Sequence, residues 1–195
     1  MLSEPVIIVA RLARVFDTLG IRYLVGGSFA SSLYGIPRAT QDVDLVADVQ
    51  LVHVEALMGA LMTDFYIDAE MIREAVRRRA SFNVIHLATM FKADVFVLKS
   101  DSWSRGEMGR ARTETLDVPD GPVAVRFASP EDTLLHKMVW YKLGNGVSER
   151  QWGDILGVLR VQGAALDDQY LSHWAPMLDV ADLLLRAKDE QRGPG

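Results

Sequence analysis

Three aspartates and the step Gly26-Gly27-Ser28 are the candidate functional residues of this sequence. Gly26-Gly27-Ser28 follows the short stretch IRYLV, and Asp42 and Asp44 come soon afterwards, one residue apart. A third acid, Asp94, lies in the otherwise apolar stretch FKADVFVL. Grouped carboxylates suit hard cations such as Mg²⁺, and a glycine corner that opens a helix suits phosphate oxygens. These residue types therefore point to a site for a nucleotide and a metal, provided that the fold brings them together.

The glycine pair Gly26-Gly27 predicts a close approach between the backbone and another group. Gly26 and Gly27 have no Cβ, so a ligand can come near the main chain there. Ser28 is predicted to cap a short helix that runs through Tyr34, and the first turn of that helix would expose free N–H groups and a positive dipole end. The same residues also fit a tight turn with a serine cap and no ligand.

The spacing of the aspartates predicts that two of them share a sheet face. Side chains two residues apart in a strand point to the same side, roughly 6.5–7 Å apart along the chain. Asp42 and Asp44 therefore share one face, while Val43 and Leu45 take the other. Asp94 needs a partner if it is buried, because an unpaired charge among apolar residues is costly. A solvated strand start and an exposed strand end are the ordinary alternatives.

The surrounding pattern predicts a mixed α/β region followed by a helical one. Alternation of apolar and polar residues is typical of strands in DVDLVADV, SFNVIHLA, FKADVFVL, ARTETLDV and GPVAVRFA. From Ser129 onward the pattern is helical, with Ser129 and Ser148 at positions typical of helix caps. We expect an α/β (α+β) catalytic region over 1–128, a helical region over 129–190 and a frayed tail over 191–195.

Composition sets broad limits on the function. The chain has 195 residues, 49% of them hydrophobic, and a net charge of −5 with a pI of about 5.4. An acidic balance does not favour global steering toward nucleic acid. The sequence has no cysteine, which excludes disulfides and thiolate chemistry and fits a reducing cytoplasm. No apolar run approaches membrane-span length, and the N-terminal stretch is typical of an amphipathic helix and not of a signal peptide.

With these residues in place, the sequence resembles the DNA polymerase β-like nucleotidyltransferase superfamily. The resemblance rests on Gly26-Gly27-Ser28, on Asp42-x-Asp44 with its approach GIPRATQDVDLV, and on the lone Asp94 of a later strand. The downstream segment SPEDTLLHKMVWYK…ERQWGDI is similar to the helical region of small bacterial abortive-infection, type IV toxin nucleotidyltransferases. That resemblance implies a small mixed sheet flanked by helices, followed by a helical C-terminal region.

The resemblance also implies roles for these residues. Asp42, Asp44 and Asp94 would hold one or two Mg²⁺ ions, and Asp94 would help to deprotonate the acceptor hydroxyl. The nucleotide would be held by the glycine corner and by flanking residues: Gly26, Gly27, Ser28, Arg38, Thr40 and Lys137. The protein would then be a cytoplasmic, ATP-binding or other NTP-dependent transferase that moves a nucleoside monophosphate to a hydroxyl and releases pyrophosphate.

The acceptor stays open between an RNA, a protein and a small molecule. Through its type IV toxin members, the resemblance also raises a role as the toxin of a toxin–antitoxin pair, with an antitoxin as partner and no membrane association. The alternative from another functional class is a non-catalytic nucleotide-binding or interaction module that keeps the fold.

Two further charged groups have open interpretations. Arg150 and Asp154 partly match a family motif, and they equally fit a solvated i, i+4 ion pair. The four arginines Arg73, Arg77, Arg78 and Arg79, here called the arginine cluster, fit a solvated helix face, with contact to an anionic acceptor such as RNA as the alternative.

Overall fold

The computed structural model of the chain describes residues 4–192, where it contains nine α-helices and seven strands. Residues 193–195 of the expected frayed tail lie outside the described residues. The helices are α1 Glu4–Thr18, α2 Gly27–Tyr34, α3 Val54–Leu61, α4 Ala69–Arg78, α5 Ser102–Arg110, α6 Pro130–Leu143, α7 Glu149–Gln162, α8 Asp168–Met177 and α9 Ala181–Arg192. The strands are β1 Tyr23–Val25, β2 Asp42–Ala47, β3 Phe65–Tyr66, β4 Ser81–His86, β5 Lys92–Val97, β6 Arg112–Val118 and β7 Gly121–Phe127.

All seven of these strands form one mixed sheet, in the order β3-β4-β5-β2-β1-β7-β6. The pairs β2–β5 and β1–β7 are parallel, and the other neighbours are antiparallel. Strands β2 and β5 alternate between buried and half-buried residues, as expected for strands with one face on a core. The predicted α/β fold class, a mixed sheet with helices, is confirmed.

The chain divides into two compact units. The first, which we call the sheet unit, comprises residues 4–26 and 40–128 of the described chain and holds the whole sheet. Helix α1 packs on β6 and β7, and its buried residues include Leu12 and Phe16. Helix α5 contributes Met108 to a small core cluster with Leu24 and Leu98. This packing fixes the central strands that carry the aspartates.

The second unit, which we call the helical unit, comprises residues 27–39 and 129–192 of the described chain. Helix α2 packs on α6 and α7, and α8 and α9 extend the bundle. Ser129 and Ser148 cap α6 and α7 by accepting hydrogen bonds from the backbone N–H groups of Asp132 and Gln151, so these two predicted caps are confirmed. The boundary between the units falls at Gly26, where β1 runs directly into α2.

Three details differ from the sequence pattern. The structure has helix α5 and the two-residue strand β3, which no periodicity predicts, because α5 contains Gly106 and Gly109 and β3 is too short to show a period. Helix α2 begins at Gly27, so Ser28 lies inside the helix and not at its cap.

Within residues 4–192, no helix is both long and apolar enough to cross a lipid bilayer.

Candidate active site

The three aspartates lie on one face of the sheet, on neighbouring parallel strands. In the register of β2 and β5, Asp44 is directly opposite Asp94 and Asp42 is opposite Lys92. Residues opposite each other in adjacent strands share a face, and the strands are about 4.8 Å apart. The other face carries the buried residues of both strands: Val43, Leu45, Ala47, Ala93, Val95 and Val97. The sheet therefore groups the acids because it buries their neighbours.

Lys92 joins the three aspartates on this face. Its Nζ lies 2.7 Å from Asp94 Oδ2, and the Lys92 and Asp94 side chains are 41% and 17% exposed. The hydrogen bond to Asp94 raises the pKa of Lys92, and the charges of Asp94, Asp42 and Asp44 add to this effect although burial opposes it. Three carboxylates and one ammonium leave a formal charge of −2 among these four side chains. These four side chains form an electronegative patch in which Lys92 is the cation.

Two predicted nucleotide-binding residues support the aspartates in the sheet unit. The Thr40 hydroxyl lies 2.9 Å from the carbonyl oxygen of Asp42 and 3.1 Å from its Oδ1, which fixes the approach to β2. The Gly26 N–H donates to the carbonyl oxygen of Asp44 at 2.8 Å. A Cβ at Gly26 would meet no atom within 4 Å. Gly26 therefore continues β1 beside Asp44 and leaves open space next to the backbone.

The donor set has the right chemistry for Mg²⁺, which prefers carboxylate oxygens together with water and phosphate. Among residues 4–192, however, no group of three or more His, Asp or Glu side chains is arranged to hold a metal ion. Asp94 is instead in contact with Lys92. The assignment of Asp42, Asp44 and Asp94 as metal ligands and catalytic residues thus stays a prediction.

In the helical unit, Ser28, Arg38 and Lys137 converge on Asp154. Arg38 binds this carboxylate through two parallel contacts, Nε to Oδ1 at 2.8 Å and Nη2 to Oδ2 at 2.9 Å. Lys137 Nζ donates to Asp154 Oδ2 at 2.8 Å. The Ser28 hydroxyl oxygen accepts from Arg38 Nη2 at 2.6 Å and from Lys137 Nζ at 3.2 Å. We call these four residues the basic cluster.

The basic cluster is largely buried and carries a net positive charge. Two cations and one carboxylate leave a formal charge of +1 among Arg38, Lys137 and Asp154. The side chains of Lys137 and Asp154 are only 7% and 6% exposed. Burial raises the pKa of Asp154, but hydrogen bonds from Arg38 and Lys137 and their charges outweigh burial, so the net pKa is lowered. Asp154 therefore stays ionised at neutral pH and holds both cations beside Ser28.

The glycine corner continues into this unit at Gly27. Its φ of 57° lies in the left-handed region, which glycine adopts without the steric cost that a Cβ brings. This conformation lets the chain turn from β1 into α2 and sets Ser28 in the first turn of α2. Of the six predicted nucleotide-binding residues, Ser28, Arg38 and Lys137 thus meet in the basic cluster, Gly27 precedes it, and Gly26 and Thr40 belong to the sheet unit.

The observed contacts bear on the two charged groups whose roles the sequence left open, the Arg150–Asp154 pair and the arginine cluster. Asp154 is buried against Arg38 and Lys137 while Arg150 is exposed, so the solvated Arg150–Asp154 pair is wrong. Most of the arginine cluster is engaged locally: Arg73 with Glu55 and Glu70, Arg78 with Glu74, and Arg79 with the carbonyl oxygen of Leu98. These contacts favour a solvated helix face.

Two residues on the sheet face of the three aspartates, Lys92 and Asn83, were not among the site residues predicted from the sequence. Lys92 is one strand period from Asp94, so the alternation that places Asp94 on this face places Lys92 there as well. Asn83 of β4 is opposite Asp94 in the antiparallel pairing with β5 and shares the same face. Only Lys92 has a local signal in the sequence, because the position of Asn83 depends on which strand pairs with β5.

Solved structures with similar folds are nucleotidyltransferase-like proteins and an antibiotic-resistance factor. An antigenic nucleotidyltransferase-like protein from Paracoccidioides brasiliensis matches with a TM-score of 0.55 at 20% identity, over 94% of this chain and 91% of that one. ANT(2'')-Ia in complex with adenylyl-2''-tobramycin matches with a TM-score of 0.56 at 12% identity, over 91% of this chain and 98% of that one. The chain has the nucleotidyltransferase fold.

This likeness confirms the predicted resemblance at the level of the fold. The solution structure of the antibiotic-resistance factor ANT(2'')-Ia also matches, with a TM-score of 0.54 over 95% of this chain and 97% of that one, at 12% identity. No protein-family model and no curated protein matches the sequence. At these identities the nucleotidyltransferase fold is shared, and the activity has to be argued from the residues.

Proposed function

We propose that this protein is a Mg²⁺-dependent nucleotidyltransferase that acts in the cytoplasm. It would transfer a nucleoside monophosphate from ATP or another nucleoside triphosphate to an acceptor hydroxyl. The observation that carries the proposal is the register of β2 and β5, in which Asp44 is opposite Asp94 and Asp42 shares their face. A fold alone does not specify a function. Three acids on one face within a nucleotidyltransferase fold would supply the carboxylates that bind divalent cations in this kind of reaction.

The carboxylates have two roles in the proposal. Asp42 and Asp44, with Asp94, would hold Mg²⁺, and Thr40 would keep Asp42 in position. When bound, Mg²⁺ would supply charge neutralisation for the phosphate oxygens. Asp94 would accept the proton of the acceptor hydroxyl. The hydroxyl oxygen would then form a bond to the α-phosphorus, and the bond between that phosphorus and the pyrophosphate leaving group would break.

The basic cluster would bind phosphate oxygens. Arg38 and Lys137 carry donors of the kind that bind phosphate, and the backbone N–H groups in the first turn of α2 would add further donors. Gly27 would give the triphosphate access to the main chain, as the sequence predicted. Asp154 would not touch the nucleotide and would keep both cations in place. Phosphoryl-type transfer depends mainly on this kind of positioning and charge neutralisation.

The acceptor in this proposal is a hydroxyl on a small molecule, a protein or an RNA. A small molecule deserves the first test because the neighbour ANT(2'')-Ia was solved with an adenylylated antibiotic, adenylyl-2''-tobramycin. Contact between the arginine cluster and RNA has less support because most of those arginines are paired. A toxin role, with an antitoxin as partner, would show as growth arrest on expression of the wild type and not of Asp44→Asn.

The direct test is mass spectrometry of acceptors after incubation with the protein, Mg²⁺ and each nucleoside triphosphate. Tobramycin, total RNA and cell extract would be the three acceptor pools. We expect one acceptor to gain the mass of a nucleoside monophosphate, with pyrophosphate released in equal amount, and Asp44→Asn to form no product. Asp168→Asn, which changes an exposed carboxylate of the helical unit, is the matched control and should keep the activity.

The same measurements distinguish a transferase from the alternative function, a non-catalytic nucleotide-binding module. A non-catalytic module would bind the triphosphate in calorimetry but yield no modified acceptor and no pyrophosphate in any pool. That combination would remove the transferase proposal and leave a nucleotide-binding module.

A further inference from the structure

Lys92 is the charged residue of the candidate site to which the proposed reaction assigns no role. It lies opposite Asp42 in the pairing of β2 with β5 and two residues before Asp94 on the same strand. Its Nζ is 2.7 Å from Asp94 Oδ2. The ammonium group therefore contacts one of the three carboxylates that are proposed to receive a divalent cation, and it shares a sheet face with the other two.

The local geometry shows what this lysine does for the fold. Asp44 and Asp94 are direct cross-strand neighbours, and like charges in that position repel each other. The ammonium group of Lys92 offsets part of this repulsion because it contacts Asp94. An ordinary surface ion pair has one carboxylate, whereas Lys92 interacts electrostatically with three carboxylates, those of Asp94, Asp42 and Asp44.

The ion pair between Lys92 and Asp94 can open by rotation of the lysine side chain. The Lys92 side chain is 41% exposed, and a lysine carries its charge on a flexible four-carbon stem. The ammonium group can therefore move into solvent by side-chain rotation, without a change in β5. A cation with two charges that binds the same carboxylates would compete with it directly.

We propose that Lys92 is an internal counter-cation that competes with the divalent metal for Asp94. In the metal-free protein it neutralises and holds Asp94. When a metal binds, Lys92 releases Asp94 and its side chain turns toward solvent or toward a bound anion. This inference rests on the proposed function only in taking Asp42, Asp44 and Asp94 as the metal ligands.

The test measures metal binding alone, on the full chain and without nucleotide. Free Mn²⁺ would be titrated by its electron paramagnetic resonance signal against the wild type, Lys92→Met, Lys92→Gln and Lys92→Arg. We expect both neutral variants to bind Mn²⁺ about ten-fold more tightly or better, because one positive charge within a few ångströms of the ion is removed. Lys92→Arg keeps the charge and should stay within about two-fold of the wild type.

Two controls make the result specific. Lys188→Met removes a lysine–carboxylate pair of the same 2.7 Å length in the helical unit, with Asp168 as its partner, and should leave Mn²⁺ affinity unchanged. Adding Asp94→Asn to Lys92→Met should abolish most of the gain. Circular dichroism would show that each variant is folded, and the second neutral variant, Lys92→Gln, covers the case in which Lys92→Met does not fold.

The inference is overturned if the folded neutral variants bind Mn²⁺ no more tightly than the wild type. It is also overturned if Lys188→Met gains as much affinity as Lys92→Met, because the effect would then come from net charge. The transferase proposal fails separately, when the wild type modifies no acceptor. Tighter Mn²⁺ binding by Lys92→Met would support the role of Lys92 even in that case.

Discussion

At the scale of single residues, Asp154 illustrates how one buried acid organises its surroundings. Both of its oxygens are engaged, by the bidentate contact with Arg38 and by Lys137. Buried ion pairs add little net stability relative to apolar residues, but losing one partner is costly because a charge stays behind without compensation. The value of Asp154 is therefore in holding two cations at a fixed place.

Asp154→Asn should lower the free energy of unfolding by about 3 kcal/mol at neutral pH, because Arg38 and Lys137 lose their shared anion. Urea denaturation would measure this. Asp168→Asn removes an exposed partner of Lys188 and should cost less than about 1 kcal/mol. Equal losses for the two variants would show that Asp154 contributes no more than a surface acid.

The lowered pKa of Asp154 gives the same variant a pH dependence. A carboxylate whose pKa is lower in the folded state stabilises the fold above its unfolded pKa, about 3.9, and that contribution is lost as the pH falls through the folded value. The stability gap between wild type and Asp154→Asn should be full above about pH 5 and should shrink as the pH falls below 4. Urea midpoints measured over this range would check it, and a constant gap would contradict the assignment.

Asp94→Asn should separate chemistry from binding. The variant should keep most of its affinity for the nucleoside triphosphate, while transfer falls by about 10²-fold or more, as is usual for a lost general base. Calorimetry and product formation would be measured on the same preparation. Asp120→Asn, at a side chain that is 85% exposed, should change neither. Wild-type transfer by Asp94→Asn would remove Asp94 from the chemistry.

At the scale of elements, the short helix α2 depends on close contact with α7. A Cβ at Gly35, directly after α2, would lie 2.8 Å from Val158 N and 2.9 Å from the carbonyl carbon of Gly157, both of them backbone atoms. Backbone atoms within α7 cannot yield without disturbing its hydrogen bonds. Glycine at 35 therefore allows α2, which carries Ser28, to approach α7, which carries Asp154.

Gly35→Ala should lower the free energy of unfolding by about 1–3 kcal/mol, the usual cost of overpacking. Gly153→Ala is the matched control, because Gly153 lies within α7 and a Cβ there meets nothing within 4 Å. That change should be neutral or should stabilise by up to about 1 kcal/mol, since alanine favours helix more than glycine does. Chemical denaturation would compare them, and equal stability of both variants would refute the close packing.

At the scale of the whole molecule, ligand binding and stability are linked. A ligand that binds only the native state raises the free energy of unfolding by about 2.7 kcal/mol at 100 times its Kd. For a chain of 195 residues, this corresponds to a rise in melting temperature of about 5–10 °C. We expect this rise for the wild type with Mg²⁺ and a nucleoside triphosphate together, and a smaller rise with nucleotide in chelator.

Asp44→Asn should lose the Mg²⁺-dependent part of that rise, because it removes a proposed metal ligand. Asp168→Asn should keep it. Differential scanning calorimetry with and without chelator would make the comparison. A full rise in Asp44→Asn would place the metal elsewhere or show that the nucleotide binds without it.

Local patterns in the sequence predicted the strands and helices that carry the candidate site and the sheet face that two of its aspartates share. Alternation in β2 and β5 predicted strands, and a period of two fixed Asp42 with Asp44 on one face. Ser129 and Ser148 predicted the starts of α6 and α7. These features are local, since hydrophobic periodicity and helix capping act over a few residues. The mixed α/β fold followed from the order of such elements and from the resemblance.

Contacts between residues far apart in the sequence depended on the packing of the folded chain. The parallel register that sets Asp44 opposite Asp94 depends on which strands become neighbours. The contact of Arg38 with Asp154 joins positions 116 residues apart, so no spacing in the sequence encodes it. The sequence left Asp154 undecided because its nearest basic neighbour in helical spacing is Arg150. Burial between packed helices selected Arg38 and Lys137 as its partners, because a carboxylate excluded from water must be compensated by the cations that packing brings to it.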